Sequence, residues 1–359
     1  MKKRLIIVLV TLLAFTLQVL PAAAETIDEG LTLKQAMGKA ITYSKDLRNT
    51  QMDLEISDIN LDDITTSMNG VRSGYNIPEQ TERDFYAGFF RADLNHRTTE
   101  KKIENLTKQI KIDVKKAYYD VLLAQDQLEL AKKKLALTLV QHSHTTSKYK
   151  VGLATQLDIY TADSQLEADK VNLETKKNEL IKAYAQLNKL IGNSQDAQPK
   201  LVDTIEYVPA EELDVDSEIL KAVGNSYEIW SAKEAAKASE NMKYYTKYYD
   251  IGEYNASQAA NTLQDTKEQI RLTVRNLCLT VINLEKNLED LDGKEKQLEE
   301  TVRVYSSLYQ VGMKTKDELD SVQFTLADVK ANKKNIQVAH INALENLQRL
   351  TGDMKSTME

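Results

Sequence analysis

One long stretch occurs twice in this chain, and the duplication limits the fold more than any other feature. Tyr149-Lys150-Val151-Gly152-Leu153-Ala154-Thr155 returns as Tyr309-Gln310-Val311-Gly312-Met313-Lys314-Thr315. Leu187-Asn188-Lys189-Leu190-Ile191-Gly192 returns as Leu347-Gln348-Arg349-Leu350-Thr351-Gly352. Both pairs share one offset (312 − 152 = 160 and 352 − 192 = 160), so no gap intervenes between them. Each copy carries a seam of small and apolar residues at alternating steps of four and three. The first runs through Ile110, Val114, Ala117, Val121, Ala124, Leu128, Ala131 and Leu135, the second through Ile270, Val274, Leu277, Val281, Leu284, Leu288 and Leu291. That spacing keeps one face of a long helix against a partner helix.

A descending seam follows the first Val-Gly turn, through Ile159, Ala162, Leu166, Leu173, Leu180, Ala183, Leu187 and Leu190, and no proline falls between Pro78 and Pro199. Each copy therefore reads as a helical hairpin with Gly152 or Gly312 at its tip, where a left-handed position or a close approach favours glycine. A first helix from about Leu94 to Val151 would measure roughly 85 Å at ~1.5 Å per residue, too long for an ordinary globular core. The expected fold is dominated by α-helix, as two tandem coiled-coil hairpins with at most short β segments.

Length alone, 359 residues, suggests two domains, whereas the repeat suggests two halves of one elongated body. Charged residues make up 28% of the chain and the net charge is −7, which fits long solvated helices and leaves no basic footprint for nucleic acid. Lys2-Lys3-Arg4, an apolar run from Leu5 to Leu20 and Ala22-Ala23-Ala24 read as a cleaved secretory signal over residues 1–24. An exported chain starting near Glu25, in the cell envelope, is the expectation. Cys278 is the single cysteine, so it forms no internal disulfide and reads as a small buried hydrophobe.

After the signal, Thr32 is placed to cap a helix that carries Ala36 and Ala40. A related segment opens the second half at Ala222-Val223-Gly224-Asn225, and its offset from Ala40 is larger (222 − 40 = 182). The first half is thus longer than the second between its opening helix and its long hairpin, by 182 − 160 = 22. The first half reads as 25–192, the connector with Pro199 and Pro209 as 193–216, the second half as 217–352 and a polar tail as 353–359. Strand or loop segments are plausible only at 67–97, where Gly70, Gly74 and Pro78 interrupt the helical pattern, and at the tyrosine-rich 244–254.

Taken together, the opening Leu31-Thr32-Leu33 with Ala36 and Ala40, the Val-Gly tips, the closing Leu-Ile-Gly and Leu-Thr-Gly runs and the duplication resemble the TolC family of outer membrane efflux proteins. The resemblance implies a homotrimer whose twelve helices form an α-barrel, with the tips docking on a periplasmic adaptor, or membrane fusion protein, that works with an inner-membrane transporter. It makes Val151, Gly152, Leu153, Val311, Gly312 and Met313 the docking tips. It makes Tyr309 a gate tyrosine, Asp158 an acidic gate position, Lys314 a basic lock and Glu318 part of an acidic entrance ring, whose second position would fall at Ser321. A spanning strand needs about 9–11 residues. The stretch 244–254 cannot supply two, so reduced or missing barrel segments are expected.

Simpler readings stand beside these. Gly152 and Gly312 are turns whether or not a partner docks there. Asp158 and Glu318 also suit the first turn of a solvated helix, where acids meet the helix dipole. Tyrosines 244, 245, 248, 249 and 254 fit either an interfacial aromatic belt or packing between helices. His142 and His144 lie two apart and do not share a helix face, and no H-E-x-x-H is present, so no metal site is expected. Nothing resembles a phosphate loop or a nucleophile elbow, so neither cofactor nor enzyme activity is expected. An export duct is the leading reading; the alternative is an extracytoplasmic coiled coil that bridges envelope partners without a channel.

Overall fold

A computed structural model describes residues 30–72, 78–210 and 213–353. In chain order they form α1 (Leu33–Tyr43), α2 (Lys45–Arg72), α3 (Glu79–Lys150), α4 (Gln156–Ile191), α5 (Val215–Asn225), α6 (Tyr227–Met242), a 3-10 turn (Lys243–Tyr245), α7 (Tyr249–Gln310) and α8 (Lys316–Thr351). Among the described residues there is no named strand, and one isolated parallel bridge joins Leu31 to Leu201. No described helix is long and apolar enough to cross a membrane.

The elements stand as four columns side by side. At the two edges of the set are α4 with α1 and α2 beyond its end, and α7; between them lie α3 and then α8 with α5 and α6 beyond its end. The helix α3 has 72 residues, about 108 Å at ~1.5 Å per residue, and α7 has 62, about 93 Å.

The seams read from sequence are the packed faces. Val114, Val121 and Leu187 are essentially inaccessible, and so are their repeat mates Val274, Val281 and Leu347. Burying one such side chain contributes about 1.5–3 kcal/mol. Tyr118 and its mate Cys278 are also fully buried, but their surroundings differ. The Tyr118 hydroxyl donates to Leu31 O at 2.8 Å and accepts from the amides of Val202 and Asp203, both at 3.2 Å. It thereby ties the chain entering α1 to the connector that follows α4. Cys278 packs in an apolar cluster with Ala222, Ile229 and Leu347, where burial pushes its thiol pKa up.

The two halves are spliced in the same way. Helix α4 ends on Gly192 (φ 75°) against Tyr43 at the end of α1, and α8 ends on Gly352 (φ 81°) against Asn225 at the end of α5. The offset of 182 carries Tyr43 onto Asn225, and the offset of 160 carries Gly192 onto Gly352. A Cβ at Gly192 would overlap the Tyr43 ring, whereas at the tip residue Gly152 (φ 78°) it would meet open space. Gly192→Ala therefore combines left-handed strain of about 1–2 kcal/mol with overpacking of about 1–3 kcal/mol. Gly152→Ala carries the strain alone. Urea unfolding of the two variants should separate them by the overpacking difference.

The stretches where strands were plausible are helical where described. Residues 67–72 belong to α2 and 79–97 to α3; residues 73–77 lie outside the described residues. The tyrosine-rich 244–254 is the end of the 3-10 turn, a short bend and the start of α7. The physical reason is aromatic packing between helices: Tyr245 stacks on Tyr86 (4.8 Å, 24°) and lies 5.8 Å from Phe90, both on α3. The extra length of the first half is helical extension. Carried by the repeat offsets onto the second half, the end of α2 falls at position 254 (72 + 182), past the end of α6 at 242. The start of α3 falls likewise at position 239 (79 + 160), ahead of the start of α7 at 249. The link 73–78 between α2 and α3 is shorter than a spanning strand of about 9–11 residues.

Candidate functional site

The tips are built identically. Gly152 N donates to Tyr149 O at 3.0 Å and Leu153 N to Lys148 O at 2.8 Å; Gly312 N donates to Tyr309 O at 3.0 Å and Met313 N to Leu308 O at 2.8 Å. This is the Schellman pattern, in which a left-handed residue lets the turn satisfy the last carbonyls of the helix. Val151, Leu153, Val311 and Met313 are then pushed outward, from 68% exposed at Val311 to 78% at Leu153. At the end of a long hairpin these side chains form two small exposed apolar patches.

The next helix starts with a capping box at each tip. Thr155 caps α4 with Asp158, and Thr315 caps α8 with Glu318. Asp158 Oδ2 accepts from Thr155 N at 2.7 Å, and its pKa is lowered first by that backbone bond and then by the Thr155 hydroxyl. The Glu318 pKa is lowered to about 2, first by Lys314 Nζ at 2.5 Å and then by the Thr315 amide and hydroxyl. The structure thus pairs two of the expected gate residues, Lys314 and Glu318, with each other, and Lys314 also lies 4.8 Å over the Tyr305 ring. Tyr309 is partly exposed, with Lys316 Nζ 6.0 Å over its ring.

The sign of the resulting pH dependence follows from Glu318. Its folded pKa lies below the ordinary carboxylate value of about 4.3, so its support of the α8 start is present above that value. The support is lost as pH falls toward about 2. Glu318→Gln keeps a capping side chain but not the charge. Pepsin should cut the variant faster than the parent at Leu319 near pH 5, with the ratio approaching unity toward pH 2; a pH-independent ratio would refute the linkage.

Sequence reasoning missed the contacts that join columns. All four histidines face carboxylates on neighbouring helices: His96 to Asp58 (3.1 Å), His142 to Asp163 (2.7 Å), His144 to Asp317 (2.5 Å) and His340 to Glu285 (3.0 Å). His144 on α3 and Asp317 on α8 link the two hairpins near their tips. The first hairpin is also polar along its lower seam, where Thr138 donates to buried Asp169 at 2.6 Å. The repeat mates of that pair, Leu298 and Val329, are apolar. Only the His spacing was visible beforehand, and partners 21 to 173 residues away leave no local signal. No cluster of three or more metal-ligating side chains occurs among the described residues.

A family model for outer membrane efflux proteins matches residues 87–193, which take in most of α3, the first tip and α4. Outer membrane protein TolC of Vibrio cholerae is 25% identical over 162 residues, 44% of this chain and 37% of that protein. Over this stretch the chain is similar to outer membrane efflux proteins, TolC among them. The matched part spans little more than a third of that curated relative. Solved structures extend the likeness of fold to both halves. A membrane protein from Pseudomonas aeruginosa aligns with TM-score 0.65 at 13% identity, over 89% of this chain and 90% of that one. The outer-membrane channel OprN aligns at 0.66 and 14%, covering 89% of each chain, and the Campylobacter jejuni CmeC outer membrane channel at 0.63 and 10%, covering 89% and 85%. Val151, Gly152, Leu153 and Asp158 fall inside the stretch that the family model matches. Val311, Gly312 and Met313 are tied to them by the structural repeat.

Proposed function

We propose that copies of this chain close into a tube that serves as the passive exit duct of a multi-part efflux or secretion system in the cell envelope. The observation that carries this is the open arrangement of the four columns. A layer of helices about 108 Å long, with α4 and α2 at one edge and α7 at the other, has no closed core of its own. Edges of this kind pair head to tail, and such pairing closes as a ring where the rotation between copies is a whole fraction of a turn. Three copies would supply twelve columns. The tips Val151, Gly152, Leu153, Val311, Gly312 and Met313 are the docking elements for an adaptor joined to an inner-membrane transporter. Asp158, Tyr309, Lys314 and Glu318 surround the entrance, and no side chain does chemistry.

Light scattering on the exported protein, with and without detergent, together with end-on electron micrographs, tests the reading. A three-chain mass with a central lumen supports it. A single-chain mass in both conditions overturns it in favour of a bridging coiled coil. A trimer formed in plain buffer would show that ring closure needs no lipid.

A further inference from the structure

We infer that the ring is held by one particular interface, in which the far end of α2 from one copy seats on the far end of α7 from the next. The inference rests on the duct reading and deepens it by naming the partner surface. On α7 the buried residues Ile270, Val274, Val281 and Leu288 face the chain's own α8 and α5. Leu272 and Leu279 each stand two positions from a member of that seam, about 200° around a helix of ~3.6 residues per turn. Tyr254 precedes Leu272 by about five whole turns of the same helix (272 − 254 = 18). Tyr254, Leu272 and Leu279 therefore form one stripe on the side of α7 turned from that seam, with Leu272 bordering a groove shared with Ile219 of α5. All three are exposed, Tyr254 at 71%.

The other edge carries a matching stripe. On α2, Leu47, Thr50 and Ser57 are buried toward α3, while Met52, Ile56 and Ile59 are exposed on the opposite side, Ile59 at 69%. An isolated exposed apolar residue needs no explanation, but two stripes set opposite the packed faces of the two edge helices do. Neither stripe can reach the other within one chain, because α3 and α6 stand between.

Their levels agree when helix positions are counted back from the tip glycines. His96 stands at level 56 (152 − 96) and meets Ser57 and Asp58, which sets the level of α2. Ile59, two positions beyond Ser57 along α2, is therefore near level 58. Tyr254 stands at level 58 in its own half (312 − 254). Copies related by a rotation about the tube axis have no axial shift, so Ile59 and Tyr254 come to the same height, roughly 87 Å from the tips at ~1.5 Å per residue. Met52, Ile56 and Ile59 with Tyr254 and neighbouring Ile251 then form an apolar collar at the end where the interhelical links are short.

The test places Ile59→Cys in one chain and Tyr254→Cys in another, each in a Cys278→Ala background, and co-expresses them. Oxidation or a short bismaleimide should join two chains, and both substitutions in one chain should give a ladder up to the full ring. Ile59→Cys paired with Leu220→Cys, exposed on α5 off both stripes, should not join. Separately, Ile56→Asp with Ile59→Asp and Tyr254→Asp should reduce the ring to a single-chain mass with helicity unchanged. If light scattering shows a ring but the pair fails to join, or the aspartate variant keeps its ring, the interface is wrong and the duct reading stands. A parent protein of single-chain mass overturns both.

Discussion

Replacing Tyr118 with alanine is expected to destabilise the chain by about 3–5 kcal/mol, the usual range for removing a large buried aromatic ring. Tyr118 is fully buried, and its ring lies in the cluster formed by Ala36 and Ala40 of α1, Val114 and Val121 of α3 and Leu187 of α4. Its hydroxyl also serves three backbone groups, and burial raises its pKa, so it remains a donor at all ordinary pH values. Tyr118→Phe isolates the second contribution. It takes the hydroxyl from the Asp203 amide and leaves the Val202 amide and Leu31 carbonyl only their mutual 3.4 Å bond, at about 1–3 kcal/mol. Cys278→Ala at the equivalent place in the second half removes one sulfur and no hydrogen bond of that kind, and should cost less than either. Denaturant midpoints at unchanged slope give all three values. An alanine variant as stable as Cys278→Ala would show that the connector is not anchored at Tyr118.

On the duct reading proposed above, Gly152→Pro combined with Gly312→Pro should abolish export while leaving the columns folded. Both glycines stand at positive φ, with amides that donate to Tyr149 and Tyr309. Proline requires a φ of about −65° and has no amide hydrogen to give. Each substitution costs about 3 kcal/mol or more, confined to the tip. The splice at Gly192 is roughly 60 Å away along α4 at ~1.5 Å per residue, so the packed clusters around it are untouched. Retention of a fluorescent efflux dye by the native cells should match that of cells lacking the protein, with the helical circular dichroism and the assembly mass unchanged. Export at the parent level would remove the tips from the mechanism.

What could be read before the structure was what local periodicity can encode. The hairpins, the seams, the tip glycines and the Thr32 cap each depend on residues within one or two helical turns. The aromatic run 244–254 suggested strand because tyrosine favours both strands and helix contacts; its partners Tyr86 and Phe90 lie far back in the first half, on α3, and they decided for helix. Asp158 and Glu318 were legible both as helix-start acids and as entrance acids. The structure supplies the capping geometry, while an entrance ring needs other copies. The histidine pairs were hidden because each joins two columns, and the column order cannot be read from either hairpin alone.

The splices at Gly192 and Gly352 have a mechanical consequence. Each lies the same distance above its tip glycine, so two of every four columns are interrupted at one level, roughly 60 Å up, while α3 and α7 pass through unbroken. Bending stiffness at that level depends on the continuous helices alone. A tube assembled this way has a waist there, and a lateral load applied by a partner at the tips would be taken up as flexure at the waist before it reached the far end.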